Sequence, residues 1–228
     1  MQKTSSQQFF LGVKDELPIL VGVIPFGMIY GVLALSAGLN PFDAQAMSAV
    51  IFAGSAQFMS AQLIKVGTPA LVIILTGFAI NLRHALYSAT LAPYVRHLPL
   101  RWKALLAYLL TDEAFAVTVL NYQREGITPQ SHWYFFGSGL ALWTSWQIST
   151  AVGIFLGTQV PESWGLDFTL PLTFIALVVP ALKDRAGIVT AAVASLAALA
   201  FFSFPYKLGL IASALVAVAI GLWVETRQ

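Results

Sequence analysis

PALVIILTGFAINLRHALYSATLAPYV (Pro69–Val95) runs for 27 residues and carries one formal charge, Arg83. About 20 apolar residues suffice for a helix to cross the hydrocarbon core of a bilayer, so this stretch reads as a transmembrane segment. Arg83 lies 14 positions after Pro69 and 12 before Val95, close to the middle of the membrane. Seven comparable stretches surround it: Leu17–Leu39, Ala44–Ile64, Ala104–Asn121, Trp133–Gly157, Leu166–Leu182, Ala186–Ser203 and Leu208–Val224. The polar Met1–Glu16 segment precedes a run longer and more interrupted than the apolar core of a secretory signal, so that run is read as the first span.

The composition agrees. Of 228 residues, 58% are hydrophobic and only 10% are charged, and mean hydropathy is +0.78. Ordinary soluble domains carry roughly 25% charged residues, so this chain has too few to cover a water-facing surface. Disorder, nucleic-acid binding and a water-soluble enzyme are excluded, and a net charge of +2 offers no footing for a polyanion. With no cysteine, neither a disulfide framework nor a thiolate metal site is available. No metal and no cofactor are expected: the Asp112–Glu113 pair has no His-rich metal partner, and no G-x-x-x-x-G-K-[ST] loop offers a nucleotide site. The expected fold is an all-α polytopic membrane protein, with residues 1–228 forming a single membrane domain.

Topology follows from the loop cations. If all eight segments cross and the amino terminus is cytoplasmic, 7 loop Lys and Arg lie inside and 4 outside. If the second and sixth segments are re-entrant, the split becomes 8 to 3, which the positive-inside rule prefers. Both contain helix-breaking sequence, AGSAQ (Ala53–Gln57) in one and Pro171 with Pro180 in the other. The expectation is therefore about 6 full spans plus 2 broken or re-entrant helices, arranged as inverted repeats at residues 17–121 and 133–224. Pro25 and Gly27 are expected to break the first helix.

Sorted by depth, 19 of the 22 charges fall in tails and connections, Glu16 among them, while Arg83, Asp112 and Glu113 do not. A charge at the bilayer centre costs ~3 kcal/mol or more and normally faces a partner or a water-filled cavity. Arg83 is expected to pair with Asp112 or Glu113 between packed helices. The carboxylate left over, with His84, suits proton coupling. Gly54, Ser55 and Gln57 place small and amide groups in an apolar segment, where close helix packing and an anion-holding broken helix are both open readings. Asn81 and Tyr87 flank the Arg-His pair, and Trp143, Trp146 and Gln147 occupy mid-segment positions.

FAGSAQF (Phe52–Phe58), NLRHALY (Asn81–Tyr87) and LLTDEAFA (Leu109–Ala116), behind IPFGMIYG (Ile24–Gly31), resemble the AzlC/YgaZ family, large subunits of two-component branched-chain amino acid exporters. The resemblance spans about residues 9–225, and its motif positions fall on Gly54, Ser55, Gln57, Asn81, Arg83, His84, Tyr87, Asp112 and Glu113. It implies export of valine, leucine and similar amino acids across a bacterial inner membrane. It also implies a small AzlD/YgaH-type membrane partner.

The residues then suggest a secondary transporter. Gly54–Ser55 or Arg83 would take the substrate carboxylate, and Asp112 or Glu113 its ammonium. A passive channel for small solutes is the alternative. An intramembrane enzyme built on Ser55, His84 and Asp112 is a weaker one, since AGSAQ is not a G-x-S-x-G nucleophile elbow.

Overall fold

The computed structural model describes residues 3–126, 128–159, 182, 184–204 and 208–226. The described residues are helical: α1 (Ser5–Ser36), α2 (Pro41–Val50), α3 (Gly54–Lys65), α4 (Ala70–Val95), α5 (Leu100–Tyr108), α6 (Asp112–Glu125), α7 (Ser131–Gly157), α8 (Arg185–Ala200) and α9 (Leu208–Glu225). Among them, α1, α4 and α7 are long and apolar enough to cross a membrane. The sixth apolar segment, with Pro171 and Pro180, lies outside the described residues apart from position 182. Helices divide between two compact units, Met1–Lys65 with Gly77–Pro161, and Val66–Thr76 with Glu162–Gln228.

Helix α1 begins at a capping box in which Thr4 and Gln7 satisfy each other's backbone N–H groups. It ends where Leu39 N–H reaches back to the Ala34 carbonyl across Gly38, whose φ is +90°, a conformation glycine adopts without strain. Between these ends the helix continues through Pro18, Pro25 and Gly27, so the expected break at Pro25–Gly27 does not occur. Close packing holds the helix through its proline positions. Here α1 and α7 form the most extensive helix pair of their unit, and glycine makes the close approach possible. A Cβ on Gly27 would collide with Ser149, one on Gly153 with the Met28 carbonyl, and one on Gly31 would stand 2.5 Å from the Thr150 carbonyl oxygen.

The same contacts give the direction. Gly12 lies against Tyr134, Gly27 against Ser149 and Gly157 against Val32, so residue numbers rise together and α1 and α7 run parallel. Within the first unit a long helix followed by a broken pair occurs twice, in opposite senses: α1 with α2–α3, and α4 with α5–α6.

The first broken pair is α2–α3. The Ala44–Ile64 stretch is interrupted at Ile51–Ala53. α2 starts beside Tyr30, whose hydroxyl donates to the Ala44 carbonyl at 3.0 Å, and Ser48 reaches Thr150. Gly54, which opens α3, stands against Phe26 and Trp146, and Phe58 touches both Phe26 and Tyr30. The chain therefore descends along α1 and turns back.

The second broken pair is a correction. The Ala104–Asn121 stretch is not one span: it breaks at Leu109–Thr111 into α5 and α6. Trp102 in α5 packs on Trp133 near the start of α7, whereas Tyr108 accepts a hydrogen bond from Trp143 further along it. α6 then returns, with the Tyr122 hydroxyl donating to the Ser131 carbonyl and Glu125 bound to Lys3. The break falls where Thr111 can cap α6 by accepting from the Ala114 N–H, ahead of two acids in the first turn, where the helix dipole favours them. The two broken pairs thus enter from opposite ends of α1 and turn back near its middle.

In the second unit, α8 is capped by Asp184, which accepts from the Gly187 N–H at 2.6 Å. It pairs antiparallel with α9, Gly221 lying against Thr190 and Gly209 against Phe201.

Candidate functional site

Where the two breaks approach one another, polar groups gather. The Tyr108 hydroxyl, at the end of α5, donates to the Ala49 carbonyl near the end of α2 at 2.6 Å. That carbonyl lies in the last turn of a short helix and has no intrahelical partner. Arg83 on α4 spans the first residues of both returning helices. Its Nη1 lies 2.5 Å from Asp112 Oδ2, at the start of α6, and its Nη2 donates to Ser55 Oγ, the second residue of α3, at 2.6 Å. The side chains of Arg83 and Asp112 are 32% and 38% exposed, so this cluster is reachable rather than sealed.

Nearby positions complete the surroundings. Tyr87, one turn past Arg83, stands beside the Asp112 carboxylate and stacks on Phe115 with ring centroids 4.4 Å apart. His84 tilts against Tyr87 at 5.9 Å. Gln57 is buried, its amide nitrogen on the Met47 carbonyl at 3.4 Å. Several buried polar atoms have no hydrogen-bond partner among the described residues: Gln57 Oε1, Asn81 Oδ1, Arg83 Nε, Asp112 Oδ1 and Trp146 Nε1. Buried polar atoms are seldom left unpaired, so atoms of this kind are where a polar ligand gains most. A cleft of ≈ 310 Å³ between α4, α5 and α7, lined by Leu91, Arg96, Lys103 and Phe135 among others, does not include them.

The structure thus brings Ser55, Arg83, Asp112 and Tyr87 together. It places Gly54 against Trp146, where a Cβ would meet the indole at 3.1 Å. Pairing of Arg83 is with Asp112, and Ser55 takes part in a way the spacing did not indicate. A Ser55–His84–Asp112 relay is not formed, because Arg83 engages both the serine and the aspartate. Trp143 and Gln147 serve the packing, Trp143 on Tyr108 and Gln147 on Gln45 and the Ser48 carbonyl.

One residue escaped the sequence reading. Glu16, grouped there with the polar amino-terminal tail, is 0% exposed. Because α1 starts at Ser5 rather than Leu17, Glu16 lies three turns inside the helix. There it accepts a hydrogen bond from Ser138 on α7 at 2.6 Å and lies within electrostatic reach of Glu113 on α6. The signal available in the sequence was the Thr4–Gln7 capping box, which marks an earlier helix start.

Long apolar helices, two broken helix pairs meeting from opposite ends and an ion pair at their junction define a helical membrane protein of the kind that moves small solutes. The chain belongs to the AzlC family: the family profile described as "AzlC protein" matches residues 18–160. It is 30% identical to "Inner membrane protein YgaZ" of Escherichia coli (strain K12), over 96% of this chain and 93% of that protein. It is 32% identical to an "Uncharacterized membrane protein" of Archaeoglobus fulgidus, over 96% and 97% respectively. "Branched-chain amino acid transport protein AzlC" of Bacillus subtilis (strain 168) is 29% identical over 71% of this chain and 63% of its own length. No solved structure matches the chain significantly.

Proposed function

We propose that this protein is a secondary carrier that exports branched-chain amino acids such as valine and leucine. In this reading it is coupled to protons and works with a small AzlD/YgaH-type membrane subunit. The observation that carries the reading is Arg83 joining the first residues of two returning half-helices, Ser55 and Asp112. An amino acid at the midplane brings a carboxylate and an ammonium. Half-helix amino termini and a guanidinium suit the first. Asp112 or Glu113 suits the second. Phe26, Phe58 and Trp146, which pack on one another beside Gly54, supply apolar surface for a branched side chain. In the free protein Arg83 and Asp112 neutralise each other, and the substrate's two charges replace that pairing one for one. Gln57, Asn81 and Tyr87 are the further substrate contacts, and His84 and Glu113 are partners in moving the proton.

The direction of insertion follows from the loop cations of the first unit. Lys3, Arg96, Arg101, Lys103 and Arg124 sit at the end where α1 begins, and Lys65 closes α3 at the other end. The positive-inside rule then puts the amino terminus in the cytoplasm of a bacterial cell. Since the chain has no cysteine, single-cysteine labelling tests this directly: Arg101→Cys and Lys65→Cys should be modified from opposite sides.

The functional test is counterflow of labelled valine in proteoliposomes, with and without the small subunit, followed by the same measurement on Arg83→Lys. Saturable counterflow that is lost in the lysine variant supports the carrier. Flux that does not saturate and ignores pH would make the protein a passive channel.

A further inference from the structure

Granting the carrier function above, we propose that Glu16 is the residue that takes up and releases the coupled proton, separate from the Arg83–Asp112–Ser55 cluster that meets the substrate.

Glu16 has no exposed surface. Its Oε2 accepts from Ser138, while its Oε1 is buried with no hydrogen-bond partner among the described residues. Among the described residues, no cation is in contact with it. On α7 stand Ser138 and Tyr134, the latter donating to Asp15 at 2.7 Å, with Arg124 in range of Tyr134 rather than of Glu16. On α6 stands Glu113. The one ionisable residue of α3 is Lys65 at its far end, and that of α2 is Asp43 in its first turn. A buried carboxylate without a countercharge is costly, and a site with no exposed surface admits a proton more readily than any larger cation.

The pairing also provides a route. Glu113 follows Asp112 in the first turn of α6 and is only half-buried. The proton that leaves Glu16 is accepted by the Glu113 carboxylate, and Glu113 releases it to water at the substrate cluster. The first transfer turns the Glu16 acid into a carboxylate and the Glu113 carboxylate into an acid; the second returns Glu113 to a carboxylate as water becomes hydronium, so charge is conserved in both. Any shift of α6 on Arg83 as substrate binds changes the distance between the two acids, which links proton release to substrate.

Two measurements on the purified full-length protein test this. In lipid nanodiscs, the infrared carbonyl band of a protonated carboxyl is followed as pH is varied. A band that titrates in the wild type and is absent in Glu16→Gln supports the assignment, whereas an unchanged band in that variant overturns it. This readout needs no transport. In proteoliposomes, valine accumulation driven by a pH gradient is compared with valine counterflow. The ratio of the two should collapse in Glu16→Gln, and a wild-type ratio would overturn the proposal. Should Glu16→Gln not fold, Ser138→Ala keeps the carboxyl and removes its hydrogen bond. It should displace the infrared titration, and a titration identical to the wild type would count against Glu16. If the wild type shows no counterflow, the carrier reading fails while the infrared result still decides whether Glu16 holds a proton.

Discussion

The seam between α1 and α7 and the junction of the two broken pairs belong to the same unit but are built by opposite means. Along the seam, two uninterrupted helices run parallel; glycines at 12, 31, 137 and 153 bring backbone against backbone, and Gly27 admits the Ser149 side chain. Backbone groups there are satisfied within each helix, and the attraction is dispersion between closely packed surfaces. At the junction the helices stop. Their ends expose unpaired N–H and C=O groups, and Tyr108, Thr111, Ser55 and Arg83 supply partners for them or for the acids at the helix starts. The seam therefore tolerates no added volume, whereas the junction tolerates no loss of polar function. The rigid pair also positions the polar one, since Gly54 rests on Trp146 of α7.

The largest expected effect breaks the seam. Gly153→Leu would push a side chain into the Met28 carbonyl, and inserted groups in a close-packed site cost about 1–3 kcal/mol or more. Loss of the monodisperse species in size-exclusion chromatography, with a lower thermal midpoint, is the result to look for. Gly38→Ala, at a positive-φ position with open space around it, should cost less.

Next comes the junction. Arg83→Ala should lower valine transport by about 100-fold, the scale of losing a positioning group, while the protein remains folded. Arg83→Lys restores the charge but not the fork that reaches Ser55 and Asp112 together, so it should rescue little. Adding Asp112→Asn to Arg83→Ala should cost much less than the sum of the single changes, because the pair acts as a unit. Additive losses would dissolve the proposed cluster.

Tyr108→Phe is a smaller change. It removes the bridge from the end of α5 to the Ala49 carbonyl and leaves the Trp143 indole without its acceptor. A loss of about 0.5–1.5 kcal/mol should appear as a modest drop in thermal midpoint, with a larger relative drop in transport than a seam variant of equal stability shows.

The smallest effect is at the surface. Lys3 hydrogen-bonds Glu125 at 2.8 Å, and that bond with the lysine charge holds the Glu125 carboxyl below its ordinary value. A depressed folded value means that the contribution is present above the unfolded carboxylate range and lost as pH falls through the folded one. Lys3→Ala should remove this difference between neutral and acid pH. Exposed pairs contribute little, so thermal melting at the two pH values should separate the variants only slightly.

Much of the molecule was legible along the chain. The apolar stretches announced membrane helices because burying or immersing some 20 residues in hydrocarbon requires them to be apolar. Arg83, Asp112 and Glu113 stood out because charge is expensive there. AGSAQ marked a break that the structure places just ahead of Gly54. Proline gave a poorer signal: Pro25 lies inside a continuous helix, since a neighbouring helix can hold what one missing hydrogen bond loosens. The break before Asp112 carries neither glycine nor proline, so local propensity did not disclose it.

Alone, the sequence determined that this is a helical membrane protein of the AzlC type and which polar residues its apolar segments must accommodate. Those follow from transfer free energies, which depend on residue type. Tertiary structure decided which helices run parallel, that the fourth apolar stretch turns back, that Arg83 bridges two half-helix starts and that Glu16 is buried. Each depends on which surfaces meet between residues distant in the chain, from 28 positions apart for Arg83 and Ser55 to 122 for Glu16 and Ser138. Hydropathy is a property of single segments and says nothing about their partners.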